Sequence, residues 1–284
     1  MPLLPPELWL EIFACADSLT LASVTRVNST YKRLAESSLY RNVSLSSEKD
    51  GIERFAQSLA ACPSHAALVQ HLDIVAINLH EATISIHAYG ILKRCRELRS
   101  ITITIVAHCR PCAVIDWARY EQHAFNGDYP HLRRLKTNLD NAPTFLIDFF
   151  RRHPNIDELD LQGVPKPDSH LPHKSLSSLS EQLPSVRYLT SPGWVLLSSG
   201  FTAPPQLTHV SVPSFYFPHL SRLLDVLGPR LVSLKLGTHE WNGDYGAPMF
   251  ERSTVSFSEV CAKLPSLKLL QVYLAEVRRA PISR

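Results

Sequence analysis

Cys109-Arg110-Pro111-Cys112 is the pair of side chains best spaced for chemistry in this 284-residue chain. Two thiols separated by two residues can close a disulfide or share a metal ion, and a helix beginning at the second lowers a thiol pKa for exchange. The surroundings fit in part. A β-rich run, Ile101-Thr102-Ile103-Thr104-Ile105-Val106, precedes the pair, and Ala113 to Ala124 reads as a helix. No βαβ thioredoxin-like pattern encloses it, and a zinc site built with His108 or His123 lacks a second CxxC or HxxxH at ligand spacing. The other four cysteines, Cys15, Cys62, Cys95 and Cys261, show no pairing logic, as expected in a reducing compartment. The sequence has no Gly-rich phosphate loop, GxSxG elbow or paired-carboxylate motif, and its thirteen histidines are dispersed. The expectation is a protein that is not an enzyme and has no cofactor, metal or catalytic residue. A thiol-disulfide or zinc protein using Cys109 and Cys112 is an alternative.

Composition narrows the partners. Lys plus Arg number 29 against 26 Asp plus Glu, a net charge of +3. The basic doublets Arg133-Arg134, Arg151-Arg152 and Arg278-Arg279 are scattered, whereas a nucleic-acid footprint is concentrated on one face. No apolar run approaches the ~20 residues needed to span a bilayer. Glu7 and Glu11 interrupt the first apolar stretch, which lacks a basic leader, so no signal peptide is expected. These features predict a cytoplasmic or nuclear protein without nucleic-acid or membrane partners.

The elements that would hold any site are legible as a repeat. Eight segments fit an aliphatic-x-x-aliphatic-x-aliphatic frame: Val69-Leu72-Ile74, Leu98-Ile101-Ile103, Leu132-Leu135-Thr137, Ile156-Leu159-Leu161, Val186-Leu189-Ser191, Leu207-Val210-Val212, Leu231-Leu234-Leu236 and Leu267-Leu270-Val272. Only Thr137 and Ser191 break the third apolar position. Successive copies begin 21 to 36 residues apart, which brackets the leucine-rich-repeat range. Proline stands two residues before the first aliphatic in six copies, at Pro130, Pro154, Pro184, Pro205, Pro229 and Pro265. A proline there stops a preceding helix and favours extended backbone before it. Helical spacing marks the intervening runs Thr144 to Phe150, His219 to Leu227 and Ser258 to Leu264. Unrelated strands of an α/β sheet are the alternative to a repeat. The frame resembles irregular leucine-rich repeats without the Asn ladder of regular ones. That resemblance implies a solenoid of short parallel strands inside and helices outside, which stacks repeat on repeat.

Period-two alternation should bury Leu159, Leu161, Leu234 and Leu236 and expose Asp160 and Lys235. The residues between the aliphatics would face the concave sheet. Among them Arg134, Lys136, Glu158, Asp160, Tyr188, His209 and Lys235 are candidates for binding a target protein. Mixed in sign and modestly aromatic, this surface suits protein recognition better than a uniformly charged polymer.

The first forty-five residues differ in kind. Pro5-Pro6 suits a first helical turn, where a missing N–H costs nothing. Leu8, Ile12 and Ala16 then fall on one stripe, with Trp9 and Phe13 on its flank. Asp17-Ser18 carries capping chemistry before Leu21, Val24 and Val27, and Asn28-Ser29 before Tyr31 and Leu34. Three short helices cannot bury this much apolar surface among themselves and need a partner surface. Leu4-Pro5-Pro6-Glu7-Leu8, with Ile12 one turn on and Ser38 to Leu45 closing the segment, resembles the F-box. The F-box resemblance implies docking onto the linker protein of cullin-based (SCF-type) ubiquitin ligases, with Leu4, Pro5, Leu8, Ile12, Val24, Val27, Tyr31 and Leu34 as the linker-protein contacts. Tyr31 stands where the family usually has Trp, and the neighbouring basic cluster is thinned to Lys32-Arg33.

The expected organisation is therefore α/β: an F-box-like three-helix module over 1–45, a connecting segment over 46–64, and a leucine-rich-repeat-like domain over 65–284. Its expected function is that of a ubiquitin-ligase substrate adaptor whose partners are the linker protein with its cullin complex and an unknown target protein. A repeat scaffold whose N-terminal helices merely cap the solenoid is the second reading.

Overall fold

The computed structural model describes residues 4–47, 50–77, 82–106, 125–138, 143–161, 179–198, 201–215, 219–238 and 256–273. Cys109 and Cys112, with the helix expected after them, lie outside these residues. The chain divides into two compact units, Met1–Lys136 and Thr137–Arg284.

The first unit begins with three short helices, α1 (Pro6–Ala14), α2 (Ser18–Val24) and α3 (Ser29–Leu39). Proline at its first turn opens α1. Both expected caps form. Asp17 accepts from the Thr20 N–H at 2.8 Å, and Asn28 accepts from the Tyr31 N–H at 2.8 Å. Hydrogen bonds from the Thr20 N–H and hydroxyl hold the Asp17 carboxyl below the ordinary carboxylate pKa. The strands β1 (Asn42–Ser46), β2 (His71–Ile77), β3 (Ser100–Val106) and β4 (Arg134–Thr137) follow in spatial order β1-β2-β3-β4. The pairs β1–β2 and β2–β3 are parallel. Between β1 and β2 run α4 (Gly51–Ala61) and a 3-10 turn, Pro63–Leu68, and α5 (Ala82–Arg94) connects β2 to β3.

The second unit repeats the plan with β5 (Glu158–Asp160), β6 (Tyr188–Thr190), β7 (His209–Phe215), β8 (Ser233–Thr238) and β9 (Leu269–Tyr273), parallel and again in chain order. Its helices are α6 (Pro143–Arg152), α7 (Leu179–Gln182), α8 (Gly193–Leu196), α9 (Leu220–Leu227) and α10 (Phe257–Lys263). Three of these, α6, α9 and α10, stand where helical spacing places them.

Prolines act at the turns that enter several of the strands. The N–H of Ile156, Val186, Leu207 and Leu267 donates to the carbonyl three residues back, at 3.0 to 3.3 Å. Pro154, Pro184, Pro205 and Pro265 therefore occupy the second place of a four-residue turn, where a fixed φ is already correct. Gly228, at φ 74°, ends α9 and precedes Pro229, a backbone region that L side chains rarely adopt.

All three frame positions are buried in the first seven copies, including the polar Thr137 and Ser191. Leu159, Leu161, Leu234 and Leu236 are buried as alternation requires, Lys235 is exposed, and Asp160 is half-buried rather than open. In the eighth copy Leu267 and Leu270 are only half-buried, and Val272 is 45% exposed. A ninth strand, β1, extends the frame to Tyr40-Val43-Leu45, with Val43 opposite Leu72 and Leu45 opposite Ile74. Residues read as the close of the helical module thus pair as the first strand of a sheet. The segment 46–64, expected as a connection, contains α4.

Candidate docking site

Helices α1 to α3 enclose a small core of Phe13, Leu21 and Ala35, against which Trp9, Ala16, Val24, Tyr31, Leu34 and Leu39 pack. Three aromatic rings knit it: Trp9 lies 4.9 Å from Tyr31, edge to face, and 5.5 Å from Phe13. Edge-to-face pairs contribute about 0.5–1.5 kcal/mol beyond area burial. The Asn28 cap fixes where α3 starts and so where Tyr31 enters this cluster. Asn28→Ala should lower the stability of the first unit by about 1 kcal/mol, within the range for lost caps. Thermal melts of the variant and of Asn28→Ser, which keeps a capping oxygen, check this; equal losses in both would refute it.

The site residues separate into two sets. Val24, Tyr31 and Leu34 pack into the helical core, half-buried. Leu4, Pro5, Leu8, Ile12 and Val27 face outward, with Leu4 at 44%, Leu8 at 43%, Ile12 at 47% and Val27 at 65% exposure. The stripe expected on α1 is thereby corrected: Ala16 lies beyond the helix and packs inward with Trp9 and Phe13, while Leu8 and Ile12 remain in solvent. Leu10 and Leu19, at 40% and 80%, are exposed aliphatics that sequence reasoning missed. Any single exposed leucine is ordinary. Several of them on and beside two short helices whose own core is already filled leave apolar surface open to a partner.

These helices are seated on the first unit. Tyr40, directly after α3, stacks on His65 at 4.2 Å, and His65 Nε2 lies 3.5 Å from Glu36 on α3. Lys32 approaches the same carboxylate at 3.8 Å.

Residues 1–46 match the model of the family described as F-box-like. The segment is an F-box-like domain, and such a domain indicates in general an SCF-type adaptor that docks on the ligase linker protein and its cullin complex. No curated protein matches the chain.

The concave candidates are placed by strand register. In the first unit Ser44, Asp73 and Thr102 are side by side, as are Asn42, His71 and Ser100, and Arg134 and Lys136 are exposed on β4. His71 is held below the ordinary imidazole pKa by burial first, then by Arg41, Arg134 and Arg99. In the second unit Glu158, Tyr188, His209, Ser233 and Leu269 form one row, and Asp160, Thr190, Ser211, Lys235 and Gln271 the next. Tyr188 and His209 stack at 4.4 Å, and His209 Nδ1 lies 2.8 Å from the Thr208 hydroxyl. Register therefore brings Glu158, Tyr188 and His209 together, with Asp160 and Lys235 in the adjacent row. Arg134 and Lys136 belong to the other unit. Arg41 and Arg99 fill the second frame position, outside the two alternating positions that the sequence pattern assigns to the concave sheet.

Nothing among the described residues gathers three or more His, Cys, Asp or Glu in a metal-holding group. Burial pushes the Cys95 thiol up to about 12, which keeps it protonated and unreactive. No described helix is long and apolar enough to cross a membrane.

Proposed function

We propose that this chain is a substrate-recognition adaptor of an SCF-type ubiquitin ligase. Its F-box-like module over 1–45 docks to the linker protein, a segment over 46–64 connects, and a leucine-rich-repeat-like domain over 65–284 captures a target protein. The observation that carries the reading is the outward exposure of Leu4, Leu8, Ile12 and Val27, on and beside helices whose core is already filled by Trp9, Phe13, Leu21 and Tyr31. Burying each such aliphatic in a partner contributes about 1.5–3 kcal/mol. In parallel strands with every frame position filled in seven copies, the residues between the aliphatics are left to contact a target. Co-purification of the full chain with the linker protein tests the docking half, and absence of a complex at micromolar concentration rejects it.

Activity in this reading is proximity rather than covalent chemistry: the adaptor raises the effective concentration of a bound target near a transferring enzyme. It acts in the cytoplasm or nucleus and needs no catalytic residue or cofactor of its own. Cys109→Ser with Cys112→Ser should leave target ubiquitination in a reconstituted ligase at the wild-type rate. A folded double variant that loses all function would return the reading to thiol or zinc chemistry.

A further inference from the structure

The turns that enter the first unit's strands place two rows of residues side by side. The Gln70 and His71 N–H groups donate to the Arg41 carbonyl, those of Arg99 and Ser100 to the Gln70 carbonyl, and those of Arg133 and Arg134 to the Arg99 carbonyl. One row therefore reads Arg41, Gln70, Arg99, Arg133. The next reads Asn42, His71, Ser100, Arg134. Neither row contains an acidic residue. Arg41 and Arg99 are exposed, and neither forms an ion pair among the described residues. The nearest carboxylate along β2 is Asp73, which takes a 3.5 Å hydrogen bond from Ser44. The corresponding rows of the second unit differ, since they start with Asp157 and Glu158.

We infer that these two rows bind a carboxylate-rich, extended segment of the target protein, with Arg41 and Arg99 as its principal charged contacts. The inference rests on the proposed role of the repeat domain in target capture, with β1 at the end of the 1–45 segment joining that sheet through β2, and it assigns that target a chemistry. Spacing selects a run of acidic residues over one anionic group. Parallel neighbours lie ~4.8 Å apart, so two strands separate Arg41 from Arg99 by roughly 10 Å. An extended peptide advances ~3.3 Å per residue and shows alternate side chains on one face, so same-face carboxylates two or four residues apart, ~6.6 or ~13 Å, bracket that distance within the reach of arginine side chains. His71 lies between the two arginines with an N–H to donate. Its depressed proton affinity agrees with a local excess of positive charge, burial being the larger cause.

The test is fluorescence anisotropy of the full chain with a labelled eight-residue peptide of glutamates, beside its lysine, phosphoserine and mixed Gln/Ser counterparts. The glutamate peptide should bind, weaken as salt rises, and lose about tenfold or more in affinity with Arg41→Glu plus Arg99→Glu, because charge complementarity at exposed positions is screened and reversible. Arg41→Gln with Arg99→Gln should lose less, with an unchanged circular dichroism spectrum, and Arg151→Glu, exposed on α6 and outside the sheet, should change nothing. No binding at low salt, or full binding by the arginine variants, overturns the inference. Much tighter binding of the phosphoserine peptide overturns the carboxylate assignment. Linker-protein capture by the Arg99→Glu single variant is measured in parallel: its retention while peptide binding falls separates failure of this surface from failure of the adaptor reading.

Discussion

Pro5→Ala combined with Leu8→Asp and Ile12→Asp should abolish capture of the ligase linker protein while leaving the chain folded. The two aliphatics stand 43% and 47% exposed on α1, so aspartate there meets water in the free protein. In a complex the same positions would be desolvated. Losing the apolar burial removes about 1.5–3 kcal/mol at each, before the cost of desolvating a charge. Even the lower sum, about 3 kcal/mol, corresponds to more than a hundredfold in Kd, at 1.4 kcal/mol per decade. The control is Phe13→Asp, one residue along the same helix. Phe13 is 4% exposed and packs on Trp9 and Tyr31, so that change should unfold the three helices as well as prevent binding. Undiminished co-purification of the triple variant would remove the basis for docking through this face.

Leu234→Ala should destabilise the second unit by about 2–5 kcal/mol, whereas Lys235→Ala should stay within about 0.5 kcal/mol. The two residues are adjacent on β8 and face opposite sides of the sheet. Leu234 is fully buried, flanked in register by Val210 and Leu270, while Lys235 is exposed between Ser211 and Gln271. Alanine at 234 leaves a cavity between stacked neighbours, and each repeat buries its frame only against the next. Urea unfolding followed by circular dichroism measures both, and similar midpoints would show that the frame is not the core.

Much of this architecture was readable from residue order because its signals are local. Alternation along a strand is set by the pleat, so Leu159 and Leu161 had to share a face opposite Asp160. Proline at a turn and Asp17 or Asn28 at a helix start act on backbone groups within a few residues, and both kinds of signal gave correct element boundaries. The F-box-like segment was recognisable for the same reason, since its pattern lies within forty-six contiguous residues.

Tertiary structure alone decided the rest. Helix α1 carries apolar residues on two stripes, and period by itself does not say which turns inward. The answer comes from the other helices, whose Leu21, Tyr31 and Ala35 surround Phe13 and Trp9 and leave Leu8 and Ile12 outside. Tyr40-Val43-Leu45 looked like the tail of a helical module because tyrosine is not aliphatic; pairing with β2 makes it the first strand. Thr137 and Ser191 looked like breaks in the frame, yet both are buried, because a position in a stacked repeat is covered by its neighbours whatever side chain it holds. The basic rows around Arg41 and Arg99 are 58 residues apart in the chain, and only hydrogen-bonded register across β2 places them on one edge. Composition and spacing determined what each segment was able to become, and long-range pairing determined which faces met and which remained open to a partner.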